Sequence, residues 1–135
     1  MTVFVDTSAL FALLDAEDAG HDLAFPAWSS DIDACAGFVT TNCVIVEAVA
    51  VAQRRRGIDA VCTLVDEYLP LIEVGSVSTE DRTAALSAPP AAGRRRLSLV
   101  DCVSFTVMRR LGVREYLGLA PPFEEQGFTR YTSTG

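Results

Sequence analysis

Val3-Phe4-Val5-Asp6-Thr7-Ser8-Ala9-Leu10-Phe11-Ala12-Leu13-Leu14 decides the fold class. Three apolar residues, two of them β-branched, suit a strand covered on both faces by helices. Thr7 and Ser8 are good capping residues, so a helix can begin at once and run to about Asp15. Asp6 then stands where a parallel strand ends and a helix begins, the edge of an open α/β sheet where ligands bind. The position suits two roles, a helix cap or a ligand, and this stretch alone does not choose between them.

The same grammar recurs further along. Gly37-Phe38-Val39-Thr40-Thr41 reads as a second buried strand, with Thr41 or Asn42 capping a helix from about Cys43 to Arg55. That helix is aliphatic all round except for Glu47, which predicts burial, and a buried carboxylate needs a partner. Three and four residues on from Glu47 lie Ala50 and Val51, so its own helix offers no base. A metal, a distant arginine or a wet cleft would satisfy it. A third acid, Asp101, sits in the apolar helix expected over Leu97 to Met108. Here Ser98 and Asp101 match a capping box, which would explain the acid without a ligand.

The segments between are read more plainly. Asp15 to Gly20 is an acidic turn. His21 to Ser30 is a helix that Pro26 must start, kink or end. Ile58 to Leu69 is a helix with Ile58, Val61, Cys62, Val65 and Leu69 on one face, closed by Pro70. Leu71 to Val74 is a third strand, and Ser78 to Asp81 opens a short helix with Asp81 as its cap. Tyr116 to Leu119 is a fourth strand that Pro121-Pro122 breaks, and Gly127 to Tyr131 adds an edge strand. One domain over 1–131 is expected, with a polar tail, 132–135, expected to be disordered.

Composition narrows the function. The 135 residues are 50% hydrophobic, enough for a single core, and contain no run resembling a membrane span. With no basic, apolar leader at the start, a cytoplasmic location is expected. Cys35, Cys43, Cys62 and Cys102 form no C-x-x-C pair and read as small core residues. His21 is the sole histidine, which excludes a histidine-rich metal site, and it is expected at the surface, away from any catalytic triad. Net charge is −7, against general coating of nucleic acid. Yet every basic residue is arginine, and six of the eleven form the triplets Arg54-Arg55-Arg56 and Arg94-Arg95-Arg96. Arginine forks suit phosphate, which makes Arg54, Arg55, Arg95 and Arg96 candidate RNA contacts; solvated helix ends are the plainer account.

Asp6, Glu47 and Asp101 from three segments would repel one another unless a cation held them. Oxygen-only ligation without histidine or cysteine suits Mg²⁺ or Mn²⁺, and such an ion activates water and neutralises a leaving oxygen. The pattern is compatible with a phosphodiester hydrolase and by itself establishes no more. A P-loop is absent, since the chain has no lysine, and a haloacid-dehalogenase-like site would need an acid where Ser8 stands.

Taken in order, Val3 to Leu10, Thr40-Thr41-Asn42 with Glu47, Leu97 to Phe105, and Phe123-Glu124-Glu125-Gln126-Gly127-Phe128 closely resemble the PIN-domain ribonucleases, and among them the VapC-type toxins of toxin–antitoxin pairs. The resemblance implies a three-layer α/β/α sandwich around a parallel sheet of four or five strands. It implies that Asp6, Glu47 and Asp101 bind Mg²⁺ or Mn²⁺ and place water for attack on an RNA phosphodiester. Thr7 or Ser8 and Asn42 would be supporting polar groups. Homodimers and a cognate antitoxin protein are implied as partners. The chain departs from the family pattern at one place: a fourth acid often stands three residues before the phenylalanine matching Phe123, and here that residue is Ala120. A catalytically weakened binding module is therefore the alternative reading.

Overall fold

A computed structural model describes residues 1–30, 37–87 and 98–132 of the chain. Five strands form one parallel sheet in the order β3-β2-β1-β4-β5, with β1 (Thr2–Val5) at its centre. β1 pairs with β2 (Gly37–Thr41) through Phe4↔Val39 and with β4 (Glu115–Leu117) through Phe4↔Tyr116. β3 (Ile72–Gly75) and β5 (Thr129–Arg130) are the edges. Val3, Phe4 and Val5 are all fully buried, as a strand covered on both faces requires.

The chain runs outward from β1 to β2 to β3, then crosses back over β1 to β4 and β5. Right-handed crossovers therefore place α1 (Thr7–Leu14), α2 (His21–Ser30), α3 (Asn42–Arg56) and α4 (Ile58–Thr63) on one face. They place α5 (Thr79–Ser87), α6 (Leu99–Leu111) and α7 (Pro121–Glu125) on the other. Most helix contacts follow that division, α1 with α2 and α3, α5 with α6, α6 with α7, while α3 and α6 meet across it. The result is the expected three-layer sandwich. Its strand order reverses between β1 and β4, the switch point beyond which a crevice opens.

Aromatic residues lock the layers. Trp28 of α2 stacks on Phe38 of β2 at 4.4 Å between centroids. Phe123 of α7 stacks on Tyr116 at 4.7 Å and meets the edge of Phe105 at 4.9 Å. On the second face, buried Asp81 takes a two-pronged pair from Arg110, at 2.9 Å on each oxygen. Asp81 also exchanges hydrogen bonds with Ser78, so it is the predicted cap and additionally the tie between α5 and α6.

Several expectations are corrected. α3 is not buried all round: Val44, Ala48 and Ala52 face the core, whereas Val46 is 70% exposed. The helix expected to run to Leu69 is α-helical only to Thr63, then a π-helical turn over Leu64–Tyr68 and a 3-10 turn over Leu69–Leu71. The inward face is Ala60, Val61, Leu64 and Tyr68, so Ile58, Cys62 and Val65 are exposed rather than on the buried side. Of the alternatives for Pro26, it neither starts nor ends the helix: α2 runs through it. Pro121-Pro122 does not merely break a strand; it opens α7, since a proline in the first turn costs no hydrogen bond. His21 is half-buried, with its Nδ1 2.7 Å from the Ala12 carbonyl and its ring stacked on Phe25. Cys43 and Cys102 are partly buried; Cys35 lies outside the described residues.

Candidate active site at the sheet switch point

Asp6 is both a cap and a cleft residue. Its N–H bonds the Leu117 carbonyl at 3.0 Å, extending the β1–β4 ladder one step. Its carbonyl accepts the first bonds of α1, from Ala9 and Leu10. Its Oδ2 accepts from the Ser8 hydroxyl at 2.8 Å and from the Ser8 N–H at 3.4 Å. Capping thus engages the Oδ2 oxygen of the carboxylate. The Ser8 hydroxyl also accepts the Leu119 N–H at 2.9 Å, so it pins the loop after β4 against the end of β1. Gly118 permits that approach: a Cβ there would lie 3.1 Å from Asp6 Cβ and 3.2 Å from Ser8 Oγ.

A cleft of about 400 Å³ opens over this junction. Asp6, Glu47 and Asp101 all line it, and so does Thr7. Asp101 enters from the first turn of α6, where the Ser98 hydroxyl accepts the Asp101 N–H at 3.1 Å, the expected cap. The capping explanation and the cleft position coexist, as they do for Asp6. Glu47 reaches the cleft because Glu47, Val51 and Arg55 recur every four residues on α3 and share one wall. Among the described residues it forms no ion pair.

The electrostatics fit crowded carboxylates. Burial, and next the charge of Asp101, push the Asp6 carboxyl up to about 6, although the bonds from Ser8 and Thr7 oppose the rise. Burial also raises Asp101; hydrogen bonds from Ser98 oppose this and the charge of Glu47 adds to it. The three acids therefore form a chain of repulsions, Asp6 against Asp101 and Asp101 against Glu47.

The donor set matches a hard divalent cation. Every candidate ligand is oxygen, and the Thr7 hydroxyl, at the cleft wall, is buried with no hydrogen-bond partner among the described residues. Among the described residues no three such side chains stand close enough to enclose an ion. A Mg²⁺ site needs no such cage, because the ion keeps several waters and takes one or two carboxylates.

Other predicted site residues fall elsewhere. Asn42 is exposed; its Oδ1 accepts the Val77 N–H at 3.1 Å, and it lines a neighbouring apolar groove rather than the cleft. Of the first arginine triplet only Arg55 lines the cleft, while Arg95 and Arg96 lie outside the described residues. Ala120 does line the cleft, facing the acids. Sequence reading missed Asp18, Phe11 and Leu119, which complete the walls. Asp18 accepts the Gly20 N–H at 2.8 Å in the turn before α2; the turn was legible, its direction was not.

Comparison with known proteins agrees with this architecture. The PIN domain model matches residues 3–115. The 23S rRNA-specific endonuclease VapC20 of two Mycobacterium tuberculosis strains is 31% identical over 127 residues, covering 93% of this chain and 95% of that protein. The crystal structure of Mycobacterium tuberculosis VapC20, described as a Sarcin-Ricin loop cleaving toxin, superposes with a TM-score of 0.83 at 30% identity, covering 94% of this chain and 96% of that one. Sheet order, cleft position and these matches converge: the chain belongs to the PIN-domain family, among its VapC-type members.

Proposed function

We propose that this chain is a metal-dependent endoribonuclease and the toxin of a toxin–antitoxin pair. One observation carries the reading. Asp6 and Asp101, from opposite sides of the sheet switch point, line one cleft, the Asp6 carboxyl pushed up by burial and the charge of Asp101, the Asp101 carboxyl by burial and the charge of Glu47. Such an arrangement costs stability and is relieved by a cation.

Asp6 and Asp101 would hold Mg²⁺ or Mn²⁺, with Glu47 on the facing wall. When bound, the ion supplies an activated water and neutralises charge on the departing oxygen. The chain's own residues supply the geometry. Ser8 fixes the Asp6 carboxylate through Oδ2 at the wall of the cleft. Glu47, without a basic partner on its helix, accepts a proton-bearing hydrogen bond from water or substrate across the cleft. The Thr7 hydroxyl, buried and without a partner among the described residues, donates to a phosphate oxygen entering beside it.

The substrate class is RNA, and the 23S rRNA cut by the related endonuclease is the first substrate to try. A small antitoxin protein, a homodimeric state and a cytoplasmic location belong to the same proposal. Purified protein incubated with rRNA and Mn²⁺ or Mg²⁺ should cut it, and EDTA should stop the cutting. A second reading, a weakened member that binds RNA or antitoxin without efficient cleavage, is favoured by Ala120 in the cleft wall. Under that reading wild type is nearly inert and Ala120→Asp restores cutting.

A further inference from the structure

We infer that Arg55, held on the face of Phe11, is the cleft's phosphate grip, and that it binds a backbone phosphate flanking the scissile one rather than the scissile phosphate itself. The inference rests on the ribonuclease reading and adds a binding residue to it.

Among the described residues that line the acidic cleft, Arg55 is the only basic one. Among the described residues it makes no ion pair, although four acids share that cleft with it. Its guanidinium carbon stands 5.2 Å from the centroid of the Phe11 ring, a cation–π distance. Phe11 is itself 8% exposed and belongs to α1, the helix that Asp6 caps. The ring therefore fixes the cation from one side and leaves the five N–H donors unspent. An arginine so held suits a planar, two-pronged grip on phosphate.

The neighbours behave differently. Arg56 lies 3.9 Å from both Asp15 and Glu17, and Arg54 is exposed outside the cleft. The triplet thus resolves into one cleft residue and two that are not.

Position along α3 sets which phosphate is met. Glu47 and Arg55 are eight residues apart, roughly 12 Å along a helix axis, and that is the offset we assign between the scissile phosphate and the one Arg55 holds. A strand whose scissile phosphate lies at Asp6 and Asp101 would run along the α3 wall, past Val51, to the guanidinium. Binding there is made equally in ground and transition states, so its loss raises KM and leaves kcat alone.

The test uses the full-length protein and a fluorescent single-stranded RNA. Binding is measured in EDTA from 50 to 300 mM NaCl, and KM and kcat are measured with Mn²⁺. Arg55→Ala should weaken binding and raise KM by several-fold to about tenfold, keep kcat, and flatten the log–log salt slope by about 0.7, one phosphate contact on a single strand. Phe11→Leu should give part of the same loss, and Phe11→Tyr, which keeps a ring, should restore it. Arg114→Ala, at the opposite end of the sheet, should change none of these. An unchanged salt slope in Arg55→Ala, or a loss confined to kcat, overturns the assignment. If wild type cuts RNA and Arg55→Ala keeps its KM, the grip alone fails; if wild type cuts nothing with either metal, the ribonuclease reading fails.

Discussion

Replacing Asp6 with asparagine should stabilise the metal-free protein while destroying its activity. Burial and the charge of Asp101 place the Asp6 carboxyl at about 6, against an ordinary 3.8. A group whose folded value is raised binds more protons folded than unfolded between those two values. Stability contributed by the neutral form is therefore present below about pH 4 and is lost as pH rises toward 6. Roughly two units correspond to about 3 kcal/mol of cost for the ionised carboxylate at neutral pH. Asparagine keeps an acceptor for the Ser8 hydroxyl and N–H but forfeits the charge-assisted part of those bonds, about 1 kcal/mol. A net gain of about 1–2 kcal/mol at pH 7.5 remains, or about 3–8 °C in Tm for a domain of this size. Urea and thermal melts of both proteins in EDTA, from pH 4 to 8, measure it. The difference should be small near pH 4, grow through pH 6 and then level off. Added Mn²⁺ should close the gap by stabilising wild type more than the variant. If Asp6→Asn is no more stable than wild type at pH 7.5, or if its advantage is largest at pH 4, the carboxylate is not under the strain described.

Other perturbations separate scaffold from chemistry. Ser8→Ala removes the hydroxyl that joins Asp6 to the Leu119 N–H; it should cost about 1–3 kcal/mol by urea denaturation and lower kcat, since the Asp6 carboxylate loses its orientation. Asp81→Ala breaks the reciprocal cap with Ser78 and the pair with Arg110, far from the cleft. It should cost about 1–2 kcal/mol without changing KM. Because Arg110 holds the Asp81 carboxyl below its ordinary value, that cost should fade as pH drops below the ordinary carboxylate range. Ala120→Asp adds a carboxylate to the cleft wall and should raise cutting at limiting Mg²⁺ several-fold, read as a lower half-saturating metal concentration.

The centre of the fold was legible because its physics is local. An apolar run too short for a helix, followed by capping residues, gives a buried strand and a helix start, and β1 and α1 formed where those signals stood. Gly37 to Thr41 and the Thr41 cap were legible for the same reason. Periodicity misplaced the inward face after Gly57: Ala60, Val61 and Leu64 turn inward, where Ile58, Cys62 and Val65 were expected. It also failed on α3, where small and β-branched residues line an exposed groove through Val46 and Ala50 instead of a core. The burial argument for Glu47 was thus stronger than the structure warrants, yet its side chain still lines the cleft, because the Glu47–Val51–Arg55 face meets it. Asp18 and the Phe11–Arg55 contact depend on how distant segments pack, and no local pattern signals them.

The most direct measurement is cleavage of rRNA by wild type and Asp6→Ala, each with Mn²⁺, with Mg²⁺ and with EDTA. The account predicts cutting by wild type with metal, none in EDTA, and a loss of at least a hundredfold in Asp6→Ala, on the order of what removal of one group that stabilises developing charge costs. Asp6→Ala cutting as fast as wild type would contradict it.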